Sequence, residues 1–328
     1  MWPNHQLQRT RSGGLRPPTR PAELRRYAAL DAGGFSRRDG RYRPTAQNER
    51  SPPGRLVLDL SMMPAIFPFA MALWMIAVPA FAQESDEELT KKLSNPLADL
   101  VSVPFQYTGT LNVGPLDKPQ HTLNVQPVYP TKLNADWLLI HRAIVPLLSQ
   151  PAFTPEQERK YGVGDIVYEG FFSPTPKPGG VTWGAGPIVQ MKTATDDRLG
   201  SGQWAAGPAV VALVQPGKWS LGALLTQMWS FAGDEERAGV SQLQLQPLAS
   251  YRVSPTNTIG YLGTITANWK ADSGERWTVP LGVSYSILTR PAGMAPVNFI
   301  LGGGYNVIRP DNAGDWFVRF QVNFVFLK

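Results

Sequence analysis

The sequence predicts an all-β protein: an antiparallel transmembrane β-barrel of about 12 strands, outer-membrane type, with a short N-terminal periplasmic segment. Three observations predict it. In the last stretch Val318, Phe320, Val322, Phe324 and Phe326 share one strand face, and Arg319, Gln321 and Asn323 share the other. An apolar, aromatic face opposite a polar one suits a strand with lipid outside and water inside. Second, turn signals divide residues 102–328 into segments too long and too evenly spaced for a common sandwich. Third, the tryptophans fall at segment ends.

The N-terminus reads as two segments that precede the barrel. Residues 1–61 are rich in Arg, Pro and Gly and show no sustained hydrophobic period. Two readings stand: upstream DNA translated from an early start, or a disordered basic extension. Residues 62–82 carry no charge and end in Ala80-Phe81-Ala82, followed by Gln83 and the acidic Glu84, Asp86, Glu87 and Glu88. An apolar core closed by small residues is the pattern of a secretory signal peptide. Pro64, Pro68 and Pro79 argue against a membrane anchor. Residues 1–60 hold 12 basic and 5 acidic residues, whereas residues 83–328 hold 19 and 20, so the formal +6 resides in the extension. The exported part is not basic, and nucleic acid is not an expected partner. Cys is absent, which excludes disulfides and Cys-ligated metals.

Residues 83–101 form the N-terminal segment. Leu89, Leu93, Leu97 and Leu100 recur at helical spacing, and Pro96 limits any helix. A helix that plugs or caps the barrel and a plain tether are both open readings. Residues 102–328 form the barrel. Candidate strands lie near 102–113, 120–130, 136–149, 163–174, 181–192, 203–215, 218–231, 240–253, 257–270, 276–289, 296–308 and 315–327. Odd-numbered connections, such as 150–161, 193–202 and 232–239, are polar and often acidic. Even-numbered ones, such as 131–135, 175–180 and 216–217, are rich in Pro, Gly and Thr. That asymmetry matches outer loops on one rim and tight periplasmic turns on the other. An even strand count puts both termini on the periplasmic side.

Trp137, Trp183 and Trp219 follow expected periplasmic turns, and Trp204, Trp229, Trp269, Trp277 and Trp316 flank expected outer loops. Indole prefers a membrane interface, where its ring is apolar and its N–H finds a polar partner. Alternation assigns Asn124, Gln126, Arg142, Glu169, Gln242, Gln244, Gln246, Arg252, Arg319, Gln321 and Asn323 to the lumen. Leu138, Ile140, Ile144 and Leu224 fall there too. Glu169 is also placed to close an ion pair with one of the arginines. Gly184, Gly186, Gly207 and Gly302-Gly303-Gly304 are expected where strands coil tightly or where space is cleared for a side chain.

Catalytic chemistry is not expected. His121 and His141 have no carboxylate at metal-ligand spacing, and no phosphate loop or nucleophile-elbow pattern is present. His141 is placed to face lipid, where an outer-membrane lipid hydrolase would hold it, but no serine motif accompanies it. Acidic pairs such as Asp196-Asp197 read as solvated loops or as divalent-ion sites shared with lipopolysaccharide. No cofactor or resident metal is expected.

Several stretches resemble a bacterial family named after the meta-cleavage pathway of phenol degradation, whose members are labelled outer-membrane transporters. They are Asn95-Pro96-Leu97-Ala98-Asp99-Leu100-Val101-Ser102-Val103-Pro104-Phe105-Gln106, Trp183-Gly184-Ala185-Gly186-Pro187, Leu199-Gly200-Ser201-Gly202-Gln203-Trp204, and Trp277-Thr278-Val279-Pro280. The resemblance covers residues 90–328. It implies a membrane barrel and passage of small compounds, aromatic ones among them, and carries no ligand residues over. The expected function is therefore an outer-membrane channel for small organic solutes, aromatic or hydrophobic. The alternatives are a structural or scaffold barrel without conduction and, third, a lipid hydrolase. Expected partners are outer-membrane lipid and lipopolysaccharide, the barrel-assembly machinery through the C-terminal strand, and a small-molecule solute. N-terminal sequencing of membrane-extracted protein should begin at Gln83; peptides from residues 1–60 in that product would contradict the signal-peptide reading.

Overall fold

The computed structural model describes residues 84–176 and 179–326. The extension and signal peptide read at 1–61 and 62–82 lie outside these residues. One helix, α1 (Asp86–Leu93), is followed by strand segments β1 (Val101–Val113), β2 (Lys118–Val125), β3 (Val128–Lys132), β4 (Trp137–Gln150), β5 (Lys160–Val163), β6 (Ile166–Pro174), β7 (Thr182–Met191) and β8 (Gln203–Val214). Then come β9 (Trp219–Gly233), β10 (Ser241–Arg252), β11 (Asn257–Tyr261), β12 (Ile265–Asn268), β13 (Trp277–Thr289), β14 (Val297–Ile308) and β15 (Trp316–Phe326).

These segments make twelve barrel strands, because β2 and β3, β5 and β6, and β11 and β12 are each one interrupted strand. Both members of each couple pair with the same neighbour: β2 and β3 with β4, β5 and β6 with β4, β11 and β12 with β13. The first interruption is at Gln126-Pro127, where proline has no N–H to give. The ladder still crosses it: Gln126 N–H donates to Pro104 O at 2.9 Å and Ala143 N–H to Pro127 O at 3.1 Å. All pairings are antiparallel, and the sheet closes where Val101–Thr110 meets Phe317–Phe326.

Register fixes the two faces. Phe317, Arg319, Gln321, Asn323 and Val325 stand opposite Thr110, Thr108, Gln106, Pro104 and Ser102. This is the inner face: Val325 is fully buried in a cluster with Leu89, Ala98 and Leu100 of the N-terminal segment. The outer face carries the exposed apolar side chains, including Leu221, Leu225, Leu281, Val283, Leu301 and Phe231. Phe324 lies on the outer face yet is buried, packed edge to face on Phe105 with ring centroids 5.9 Å apart.

One rim holds both ends of the barrel chain and the tight turns; the other holds the longer loops. The eight tryptophans of the described residues, Trp137, Trp183, Trp204, Trp219, Trp229, Trp269, Trp277 and Trp316, are all more than a third exposed. Several pair across strands: Trp137 with Trp183, Trp219 with Tyr251, Trp269 with Trp277, and Trp316 with Tyr305. Trp229 is inside the long strand β9, but it pairs in register with Ser241, the first residue of β10, and so sits at rim height. Trp269 N–H donates to Gln227 Oε1 at 2.9 Å, so an outer polar side chain is satisfied by an indole.

Placing a charge on the lipid face near the midplane costs about 2–4 kcal/mol, whereas inner-face changes are better tolerated. Val322→Arg should therefore impair folding into bilayers far more than Gln321→Arg, as read by the folded fraction on unheated gels. Equal folding of the two variants would contradict the register.

Candidate functional site: a two-sided barrel interior

The N-terminal segment occupies the mouth at the terminal rim. Its helix forms for local reasons. Ser85 Oγ accepts the Glu88 N–H at 3.2 Å, acidic Asp86, Glu87 and Glu88 fill the first turn, and Lys91 and Lys92 fill the last. Both charge sets match the helix dipole. Beyond the helix, the Leu97 N–H donates to Asn95 Oδ1 at 2.9 Å and turns the chain inward. Leu89 and Leu97 are fully buried. Of the two sequence readings, plug and tether, the packing is that of a plug.

Rim turns hold this segment by polar contacts. Arg252 Nη2 meets Glu87 Oε1 at 2.6 Å; Arg290 Nε meets Asp86 Oδ1 at 2.5 Å, and its Nη2 donates to Glu84 O at 2.6 Å. Thr90 Oγ1 donates to Pro255 O at 2.8 Å, and Gln215 Nε2 to Lys91 O at 2.8 Å.

The interior divides into a dry half and a polar half. Inner side chains of β4, β6, β7, β8 and β9 pack into one buried cluster with Leu97: Leu138, Ile140, Val167, Phe171, Ile188, Ala205, Ala209, Val211, Leu224 and Met228. Glycine permits this collapse. A Cβ on Gly186 would stand 1.8 Å from Gly170 O, and one on Gly207 1.8 Å from Gln227 O. Only a residue without a side chain allows such close strand approach. Gly184 instead clears room for Leu97, whose methyls lie 3.1–3.2 Å from where its Cβ would be.

From β10 round to β2, a row of polar, half-buried inner side chains runs between apolar ones such as Leu288, Phe317 and Val325. Gln242, Gln244 and Gln246 lie there on β10, with Ser284 and Ser286 on β13. Arg319 and Gln321 follow on β15, then Gln106 and Thr108 on β1, and Thr122 and Asn124 on β2. Asn323 belongs to the same face and is buried.

The four charged residues assigned to the lumen, Arg142, Glu169, Arg252 and Arg319, are not one ring. Arg142 and Glu169 stand opposite each other in register and form an ion pair at 3.1 Å. Arg142 also donates to Gln126 Oε1 at 2.6 Å, and both Glu169 and Gln126 are buried. This is the closed pair weighed from sequence, set at the edge of the dry half. Arg252 is at the terminal rim with Glu87. Arg319 is on the polar half, with Nε donating to Thr108 Oγ1 at 3.2 Å.

Sequence reasoning missed Gln106, Thr108 and Thr122, although simple alternation from Phe105 and Tyr107 would have found them. It also missed Phe317 as an inner residue. The ring is admitted because Gly282 and Gly304 face it: its Cζ is 2.9 and 2.7 Å from where their Cβ atoms would be.

The histidines sit on the outer face in matching settings. Tyr107 and His121 share a hydrogen bond at 2.8 Å, as do Tyr168 and His141. In each case the tyrosine lies across a glycine, Gly109 or Gly170, that stands opposite the histidine in register. The acidic loop residues are paired: Asp196 with Lys160 at 3.2 Å, and Asp234 with Lys192. The Arg198 backbone N–H bonded to Asp196 holds that carboxyl below the usual carboxylate range, with Lys160 adding to it. Buried Asp165 gathers the N–H groups of Thr193, Ala194 and Ser201 and so shapes the 193–202 loop.

The chain is thus a closed antiparallel barrel of twelve strands, of outer-membrane type. Its fold is similar to that of an outer membrane channel from Pseudomonas putida F1, at 16% identity over 69% of this chain and 94% of that one, with a TM-score of 0.51. Outer membrane phospholipase A from Escherichia coli aligns at 11% identity over 74% of this chain and 98% of that one, with a TM-score of 0.37. A Pseudomonas aeruginosa FadL homologue aligns at 8% identity over 70% and 91%, with a TM-score of 0.32. No protein-family model matches the sequence, and no curated protein does.

Burial ranks the contacts that hold the plug. Truncating a buried leucine costs about 2–5 kcal/mol, whereas a partly exposed ion pair contributes about 0–1 kcal/mol. Leu97→Ala should therefore speed amide exchange across residues 86–93 far more than Glu87→Gln. The reverse order, read by exchange mass spectrometry, would contradict plug docking by apolar burial.

Proposed function

We propose that the protein is an outer-membrane channel for small organic solutes, aromatic or hydrophobic ones among them, restricted at the terminal rim by its own N-terminal segment. One observation carries this reading. A half-buried polar strip runs along β10–β2 beside a dry wall, so the interior offers water-reachable hydrogen-bonding groups on one side and apolar packing on the other. A soluble β-sandwich has no use for exposed apolar side chains all round its outer face.

The terminal rim then faces the periplasm and the long loops face outward. Lipid and lipopolysaccharide contact the outer face between the tryptophan girdles, and the C-terminal strand β15 engages the assembly machinery. The resemblance to the phenol-degradation family supports small aromatic solutes. In the fold comparison, the Pseudomonas putida structure is also that of a channel.

A second reading, a scaffold barrel that does not conduct, draws on the closed Arg142–Glu169 pair and the docked Leu97. The hydrolase reading has less support: His141 is occupied by a phenol hydroxyl.

Single-channel recording separates the readings. The full-length protein should give unitary currents in potassium chloride, and removal of residues 86–93 should raise them. A barrel that folds yet conducts in neither form would favour the scaffold.

A further inference from the structure

We propose that Arg319 is the anion-binding residue of the interior, and that the channel selects small organic monoanions with an apolar body. The inference rests on the channel reading and adds the class of solute.

Three inner-face cations of the described residues each have a carboxylate partner. Lys132 is 3.7 Å from Asp99, Arg142 is 3.1 Å from Glu169, and Arg252 is 2.6 Å from Glu87. Among the described residues Arg319 has no carboxylate within ion-pair distance. Its Nε donates to Thr108 Oγ1 at 3.2 Å, and both terminal nitrogens have no acceptor among the described residues. A guanidinium inside a closed barrel is costly unless an anion answers it. These three lie elsewhere on the barrel wall and each has a carboxylate, whereas Arg319 keeps its fork free of one.

The surroundings define the body that goes with the anion. Gly302 stands opposite Arg319 in register and so puts no side chain beside the guanidinium. Leu262 reaches over this glycine: its Cδ2 is 2.7 Å from where a Cβ on Gly302 would stand. Phe317, two residues before Arg319 and on the same face, covers Gly282 and Gly304. Gln106 and Gln321, opposite each other in register, form the adjoining inner row. The guanidinium is therefore flanked by a leucine and a phenylalanine on one side and by amides on the other. A planar fork with two free donors matches a carboxylate, and the Phe317 ring and Leu262 match a small aromatic or branched aliphatic body.

Reversal potentials in planar bilayers test this, with the full-length protein and gradients of sodium benzoate at pH 8 or of benzyltrimethylammonium chloride. Wild type should favour benzoate over sodium and pass benzyltrimethylammonium poorly. Arg319→Gln should lower benzoate permeability about tenfold, the scale set by one charged hydrogen-bonding group, and shift the reversal potential toward cation preference. Arg319→Lys should restore part of the selectivity. If Arg319→Gln fails to fold, Thr108→Val, which frees Nε but keeps the charge, should retain anion preference and weaken benzoate discrimination against chloride.

Cation preference in wild type, or benzoate permeability unchanged in a folded Arg319→Gln barrel, would overturn the inference and leave the channel standing. If no salt gives current, the channel reading fails. Calorimetric titration of benzoate into the detergent-solubilised barrel then decides the site. Binding lost in Arg319→Gln supports it, and no binding in wild type overturns it.

Discussion

Closure of the sheet is the constraint on which everything else depends. In hydrocarbon an unpaired backbone N–H or C=O costs several kcal/mol, so a strand edge cannot be left open. Here the seam is the ladder between Val101–Thr110 and Phe317–Phe326, which joins the first strand to the last. The same demand explains how the interruptions are tolerated. At Gln126-Pro127 the flanking hydrogen bonds to Pro104 and Pro127 carbonyls keep the ladder continuous where proline gives no donor. It also explains the outer Tyr–His couples: two polar side chains on an apolar face satisfy each other over a glycine.

Once the barrel is closed, its interior must be filled or wetted, and this chain does both. Glycines at positions 186 and 207 let neighbouring backbones approach on the β7–β9 side, and the apolar side chains there collapse into a dry wall. The side from β10 to β2 keeps its hydroxyls and amides half-buried. The N-terminal segment then belongs to the dry wall through Leu97 and to the rim through Asp86 and Glu87. Apolar burial supplies most of its docking, and the ion pairs set its orientation. It also packs against the β13 and β15 side, where Leu89, Ala98 and Leu100 meet Leu288 and Val325.

Much of this was legible because a strand has a period of two. Alternation in β15 placed Arg319, Gln321 and Asn323 together, and the structure sets them on one face with Thr108, Gln106 and Pro104. Turn residues bounded the twelve strands to within a few positions, and indole chemistry located the rims. The rest needed register across strands. That Arg142 meets Glu169, 27 residues on, follows from which residues of β4 and β6 stand opposite. That Arg319 meets no carboxylate among the described residues follows from Gly302 and Thr108 standing opposite it on the two neighbouring strands. Phe317 follows from the same alternation, but the space it fills is made by Gly282 and Gly304 on two other strands, which one strand's pattern does not reveal. The N-terminal segment stayed open between plug and tether, since four leucines at helical spacing do not say which surface they cover.

Cysteine accessibility tests the two-sided interior most directly, and the chain offers a clean background because it contains no cysteine. Single cysteines at Gln106, Gln244 and Gln321 would sample the polar side, and at Ile140 and Ala209 the dry wall. With a small, charged, membrane-impermeant thiol reagent on the folded barrel in bilayers, the first three should react readily and the last two should not. Uniform reactivity would mean an interior wetted all round. Uniform protection would mean one packed shut, and either result would contradict a polar path beside a dry wall.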